Sequence, residues 1–245
     1  MRITALNEKI YLLSAPTQYE VAAAFMRFQE FYESPYKEIR GKYFTHEQYM
    51  DAYAQEMGNF TYTSDWLGFN IPSHIYSKAV QTLNHKQIRS FLCRTSDPGE
   101  LWVKEKELVR LVAETRKENG SPKKYYIIGA CETDSAIQTS KHEIAHALWY
   151  LYPEYKRVQK ENSDCLPAKS EDKIKAMLLK RGYGKNVIQD ELQAYLSTST
   201  PHFLEKKMEF PKIAKKCSNR FAGAFESYYE VLGLHHKIKE WQKET

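Results

Sequence analysis

The sequence predicts an α+β fold, rich in helix and carrying one small sheet. Helix-period apolar patterns with capping residues recur along most of the chain. One short apolar run, Tyr125 to Gly129 (YYIIG), reads as a buried strand. The 245 residues are 42% hydrophobic and 13% aromatic, enough to build a core rather than a disordered tail.

The elements follow in order. A helical pattern runs from about Tyr19 to Tyr32 and stops near Ser34-Pro35. A second opens at Thr45, with Glu47 and Gln48 in its first turn. Asn59 to Ser73 (NFTYTSDWLGFNIPS) alternates like a strand and then turns. Asp97-Pro98 has the form of a cap followed by proline at the first helical position, opening a helix to about Lys117. Asn119-Gly120-Ser121-Pro122 stops it, and the strand at Tyr125 to Gly129 and a polar loop through Ser135 follow. Further helices are expected over roughly Ser170 to Arg181, Asn186 to Thr198 and Pro211 to Leu232. The length suits one large domain or two small ones; in the second case a boundary near Arg94 to Pro98 divides an aromatic-rich region, 1–95, of no assigned role from a second region, 96–245.

Composition excludes several classes. The net charge is only +5, and Lys and Glu interleave as on solvated helix faces. The densest basic stretch (Lys206, Lys207, Lys212, Lys215, Lys216) has no nucleic-acid-binding motif beside it, so no nucleic-acid partner is expected. No run approaches membrane-spanning length, and the N-terminus is too polar for a signal peptide, so no membrane partner is expected. The four cysteines (Cys93, Cys131, Cys165, Cys217) lie far apart, which fits free thiols in a reducing compartment and a cytoplasmic location. Nothing fixes an oligomeric state.

The chemistry concentrates in residues 139–148, TSKHEIAHAL. His142 and His146 stand at i and i+4, so both imidazoles lie on one helix face and can reach a tetrahedral Zn²⁺. Glu143 between them can act as general base on a metal-bound water. The bare pattern arises by chance in roughly 2–3% of chains of this composition, so its context decides. At 100° per residue, Ile137, Ile144, Leu148 and Leu151 cluster within about 60° of one another, opposite the two histidines. The helix therefore buries one side and turns the histidines to a cleft. The rival reading is a helix with a solvent-exposed histidine pair.

His142-Glu143-Ile144-Ala145-His146, with uncharged residues between and after the ligands, resembles the extended motif of the zincins, a class of zinc peptidases. The resemblance covers about residues 125–198. It implies a helix-rich zincin-like fold over 96–245, with a sheet strand bordering the substrate cleft, a place that Tyr125 to Gly129 would fill. It implies Zn²⁺ as cofactor and a peptide or protein as substrate. The metzincin branch is excluded by Trp149 and Tyr152, which stand where glycine and histidine would be needed. The gluzincin branch takes its third ligand from a Glu on a later helix, and Glu191 matches that role. Glu191 shares its wheel face with Val187, Ile188, Ala194 and Tyr195, where a carboxylate is costly unless a metal compensates it. Asp190 is the less favoured third ligand, and a rim carboxylate or an ion-pair partner is the plainer role for Glu191. Where the thermolysin-like pattern has an Asp that orients a ligand histidine, this chain has Tyr195, so that partner must come from elsewhere.

Tyr195 and His202 are the candidate donors to the oxyanion formed when water attacks a carbonyl. Core packing is the alternative for Tyr195 and a loop position for His202. His46, His74, His85 and the pair His235-His236 lack metal-ligand spacing. Trp66, Phe69 and Asn70 are expected to pack, with a cleft-lining role as the alternative. The expected activity is zinc-dependent hydrolysis of peptide bonds by His142, His146, Glu191 and the base Glu143. The alternatives are a catalytically silent zincin-like binding or regulatory protein, and a zinc hydrolase of a non-peptide amide.

Overall fold

The computed structural model describes residues 1–83, 101–133 and 136–243. The chain opens with an antiparallel hairpin of β1 (Arg2–Ala5) and β2 (Ile10–Ala15). Asn7 sets its turn, its Oδ1 accepting the N–H groups of Lys9 and Ile10 at 2.8 Å each. These strands are additional to the one expected from sequence. Helix α1 (Gln18–Glu33) is capped by Thr17, whose side chain accepts from Glu20 N–H, and it ends ahead of Pro35. Helix α2 (His46–Met57) starts with a reciprocal capping box between Thr45 and Gln48.

The strand expected over Asn59 to Ser73 divides. The Asp65 carboxylate accepts from the Thr61 and Tyr53 hydroxyls and pins a single turn, α3 (Tyr62–Asp65). Only β3 (Gly68–Pro72) is extended, and α4 (Ser73–Leu83) follows it directly. Helix α5 (Val103–Glu118) begins where Glu105 accepts from Trp102 N–H at 2.8 Å. The cap expected at Asp97-Pro98 lies outside the described residues. Then come β4 (Tyr126–Cys131), α6 (Ala136–Leu151), α7 (Pro153–Ser163) and α8 (Ala168–Lys180). The chain closes with α9 (Ile188–Thr198), α10 (Pro201–Lys206), α11 (Lys212–Val231) and α12 (Leu234–Lys243).

The fold is α+β, helix-rich around a four-stranded mixed sheet of order β1-β2-β4-β3. β4 runs parallel to β2 and antiparallel to β3. Both faces of β2, β3 and β4 are largely buried while β1 is half-buried, and the two-residue period of the strands sorts the core. Tyr11, Leu13, Phe69, Ile71 and Ile127 join one cluster with α1, while Ile10, Leu12, Tyr126, Ile128 and Ala130 join another with Ile144 and Leu148 of α6. Gly129 lets α1 come close, since a Cβ there would lie 2.6 Å from the Phe25 ring. A third cluster holds α8, α9 and α11 together through Ile174, Leu178, Leu192, Leu196 and Phe221.

The sheet spans the boundary expected near Arg94 to Pro98, with β4 hydrogen-bonded between β2 and β3. One expectation is corrected. Cys165 and Cys217 are not free thiols but form a disulfide, with Cα atoms 5.9 Å apart. Packing of α11 against α7 brings together two cysteines 52 residues apart, a proximity with no local signature. The bridge removes the cysteine argument for a reducing compartment. Cys131 is free and buried, and Cys93 lies outside the described residues. No helix among the described residues is long and apolar enough to cross a membrane.

Candidate metal centre

Helix α6 lies under the sheet with Ile144, Ala147 and Leu148 fully buried, which turns His142 and His146 toward α9. Helix α9 packs against α6 and delivers Glu191 to the two rings. The Nε2 atoms of His142 and His146 are 3.3 Å apart. Glu191 places Oε2 3.6 Å from the first and Oε1 3.5 Å from the second. Tetrahedral ligands about 2.0–2.2 Å from zinc stand about 3.3–3.6 Å from one another, so the three side chains fit that ion. Glu191 Oε2 is buried and has no hydrogen-bond partner, a costly state that a cation would relieve.

The outer nitrogens of both rings are engaged, which presents Nε2 inward. His146 Nδ1 lies 2.9 Å from Asp190 Oδ1, and His142 Nδ1 lies 3.5 Å from Thr198 Oγ1. Gln193 Nε2 steadies Asp190 at 3.0 Å, and the Tyr155 hydroxyl donates to Gln193 Oε1 at 2.9 Å. The orienting carboxylate that Tyr195 could not supply therefore comes from Asp190, next to the candidate ligand. Burial works against charge on the His146 ring, but Asp190 and Glu191 outweigh it and hold its pKa well above the ordinary value. The centre attracts positive charge.

Glu143 turns away from the ligands toward the sheet edge. Its Oε2 accepts from Asn70 Nδ2 at 2.9 Å, and Asn70 Oδ1 accepts from the Tyr126 hydroxyl at 2.7 Å. Gly68 makes room for the other oxygen, since a Cβ there would lie 2.2 Å from Glu143 Oε1. Burial raises the Glu143 pKa, while His142, His146 and Asn70 pull it back down. Asn70 thus fixes one of the two carboxylate oxygens. The strand beside this carboxylate is β3, an edge strand, whereas Tyr125 to Gly129 falls largely in the interior strand β4. That corrects the strand expected at the cleft.

These groups line a cavity of about 540 Å³. Trp66 and Asn70 line it, and Phe69 packs in the core. Tyr195 also lines it, its ring 4.6 Å from that of His142 and its hydroxyl 2.7 Å from that of Tyr183. His202 is exposed on α10 and is not among the lining residues, although its neighbours Thr200 and Phe203 are. His46 is buried against Trp102, His74 stacks on Tyr150, and His235 and His236 sit together on α12. The sequence reading missed the roles of Gly68, Gln29 and Glu33, which line the same cavity from the first third of the chain. Asn70 carried a usable signal: a polar residue flanked by Phe69 and Ile71 in a short strand.

The chain matches no protein-family model, no curated protein and no solved structure.

Proposed function

We propose that this protein is a zinc-dependent metallopeptidase. The observation that carries the reading is the juxtaposition, in one cavity, of three converging ligand side chains with a separately held carboxylate. His142, His146 and Glu191 would hold the ion, with Asp190 and Thr198 orienting the rings. Zinc so bound would act as a Lewis acid and lower the pKa of a water molecule toward about 7. Glu143 takes the proton of the attacking water on Oε1 and returns it to the leaving amine, while Asn70 keeps Oε2 still. The resemblance of His142 to His146 to the zincin motif supports a peptide substrate, and the cavity volume suits a substrate segment.

Glu143→Gln is the direct test. It should retain one zinc per chain by elemental analysis and lower turnover of a peptide library by about 10²–10⁴-fold. Full turnover by this variant would reject the base. Stoichiometric zinc with no cleavage by the parent protein would instead favour a binding or regulatory role.

A further inference from the structure

A second cavity, of about 260 Å³, adjoins the metal cavity. The two share lining residues, among them Gln29, Glu33, Asp65, Trp66 and Tyr183, so they border on one another. Its walls are aromatic, with Tyr36, Tyr49, Tyr53, Trp66 and Tyr183 among the lining residues. Trp66 and Tyr183 meet edge to face, with ring centroids 5.8 Å apart.

Its charge is lopsided. Glu30, Glu33, Glu56 and Asp65 line it, against the single cation Arg181. Arg181 is exposed, and its guanidinium donates to the Lys207 carbonyl. Glu30 is only 5% exposed, yet no Lys, Arg or His among the described residues forms an ion pair with it. Glu33 is likewise without a cation among the described residues, and it accepts from Gln29 Nε2 at 3.1 Å. The same helix shows the contrast. Arg27 of α1 neutralises the fully buried Glu105 with two hydrogen bonds, at 2.8 and 2.6 Å. Buried carboxylates ordinarily carry such a partner, because desolvating an unpaired one is costly. Here the cation is missing and a cavity stands in its place. Aromatic rings around that cavity add cation–π attraction.

We propose that this cavity is a substrate subsite for a cationic group on an alkyl chain, an ammonium or a guanidinium, held between Glu30, Glu33 and the tyrosine walls. Resting on the peptidase reading, this makes the substrate a peptide with a positive charge next to the bond that is cut. The charge could belong to a Lys or Arg side chain or to the peptide's own N-terminal amine.

The test separates the subsite from the catalytic reading. Agmatine, which carries a guanidinium and an ammonium on one alkyl chain, is titrated calorimetrically into the metal-free and zinc-loaded full-length protein. Binding is expected in both forms, weakened at least 10-fold by Glu33→Gln and by Glu30→Gln. Circular dichroism checks the fold of each variant, and Glu56→Gln, at an exposed position, takes over if either unfolds. No agmatine binding, or equal binding by the folded variants, overturns the subsite. Peptides blocked at both ends are then compared with Arg replaced by its neutral isostere citrulline, and with a free N-terminus restored. A fall in kcat/KM of at least 10-fold with citrulline assigns the subsite to a side chain. The same gain on freeing the N-terminus assigns it to the terminal amine, and indifference to both overturns it. Agmatine binding that depends on Glu33 without any peptide cleavage would leave the subsite standing and remove the peptidase.

Discussion

Replacing Glu30 by glutamine should make the protein more stable, by an amount that grows with pH. Burial pushes the Glu30 carboxyl from its ordinary 4.5 up to about 7, even though hydroxyls of Tyr62, Tyr49 and Ser34 pull part of the way back. Below pH 4.5 the group is protonated in both folded and unfolded chains and costs nothing. Between 4.5 and 7 the unfolded chain ionises while the folded one holds its proton. Stability therefore falls by about 1.4 kcal/mol per pH unit in that window. Above 7 the loss is complete, at about 3 kcal/mol. A glutamine side chain has nearly the same shape and no charge to bury. Urea unfolding of both proteins at pH 4.5, 5.5, 6.5 and 8, with chelator present, gives the difference curve, in which groups common to both cancel. The gap should open by roughly 3 kcal/mol across this range and level off near pH 8. A flat difference, or one that shrinks as pH rises, would show that Glu30 is not a buried carboxyl without a cation.

Three further outcomes are expected. Asp190→Asn removes the charge that orients His146 and should weaken zinc binding about 10–100-fold in a chelator competition, with the fold intact; unchanged affinity would dismiss that role. Gly68→Ala puts a Cβ 2.2 Å from Glu143 Oε1, against an ordinary contact of 3.4 Å or more. Carboxylate or strand must shift by about 1 Å, so kcat/KM should fall about 10²-fold while zinc content stays whole, and parental turnover would show that the approach is not tight. Reducing the bridge, or replacing Cys165 and Cys217 by serine, reopens a loop with a sequence separation of 52 and should cost about 4 kcal/mol in guanidinium unfolding, a cost that would be absent if the two thiols were never joined.

The parts of this structure that were legible in sequence are those written in local spacing. His142 and His146 share a helix face because of their i, i+4 interval, and Glu191 drew attention as a carboxylate inside an apolar stripe. Helix α9, expected from Asn186, runs Ile188–Thr198, and β4 begins one residue later than YYIIG and ends two residues later. What stayed hidden depends on contacts between distant segments. Asn70 meets Glu143 across 73 positions, and no pattern around either residue announces the other. Asp190 looks on a wheel like any surface acid, and only the crossing of α6 and α9 turns it toward His146. The hairpin β1–β2 is set by one asparagine side chain in a segment too short for its periodicity to stand out. Nor does any local pattern show that β4 enters between strands made much earlier.

That late insertion has a consequence during synthesis. Strands β2 and β3 end at Ala15 and Pro72, but the strand that joins them ends only at Cys131. At ribosomal rates, roughly sixty further residues take about 3–12 s to emerge. Throughout that interval each strand presents a bare hydrogen-bonding edge and an apolar face to the surrounding milieu. The nascent protein should therefore be most prone to aggregate before its centre strand arrives, and chaperones that shield strand edges should raise its yield more than a stronger promoter does.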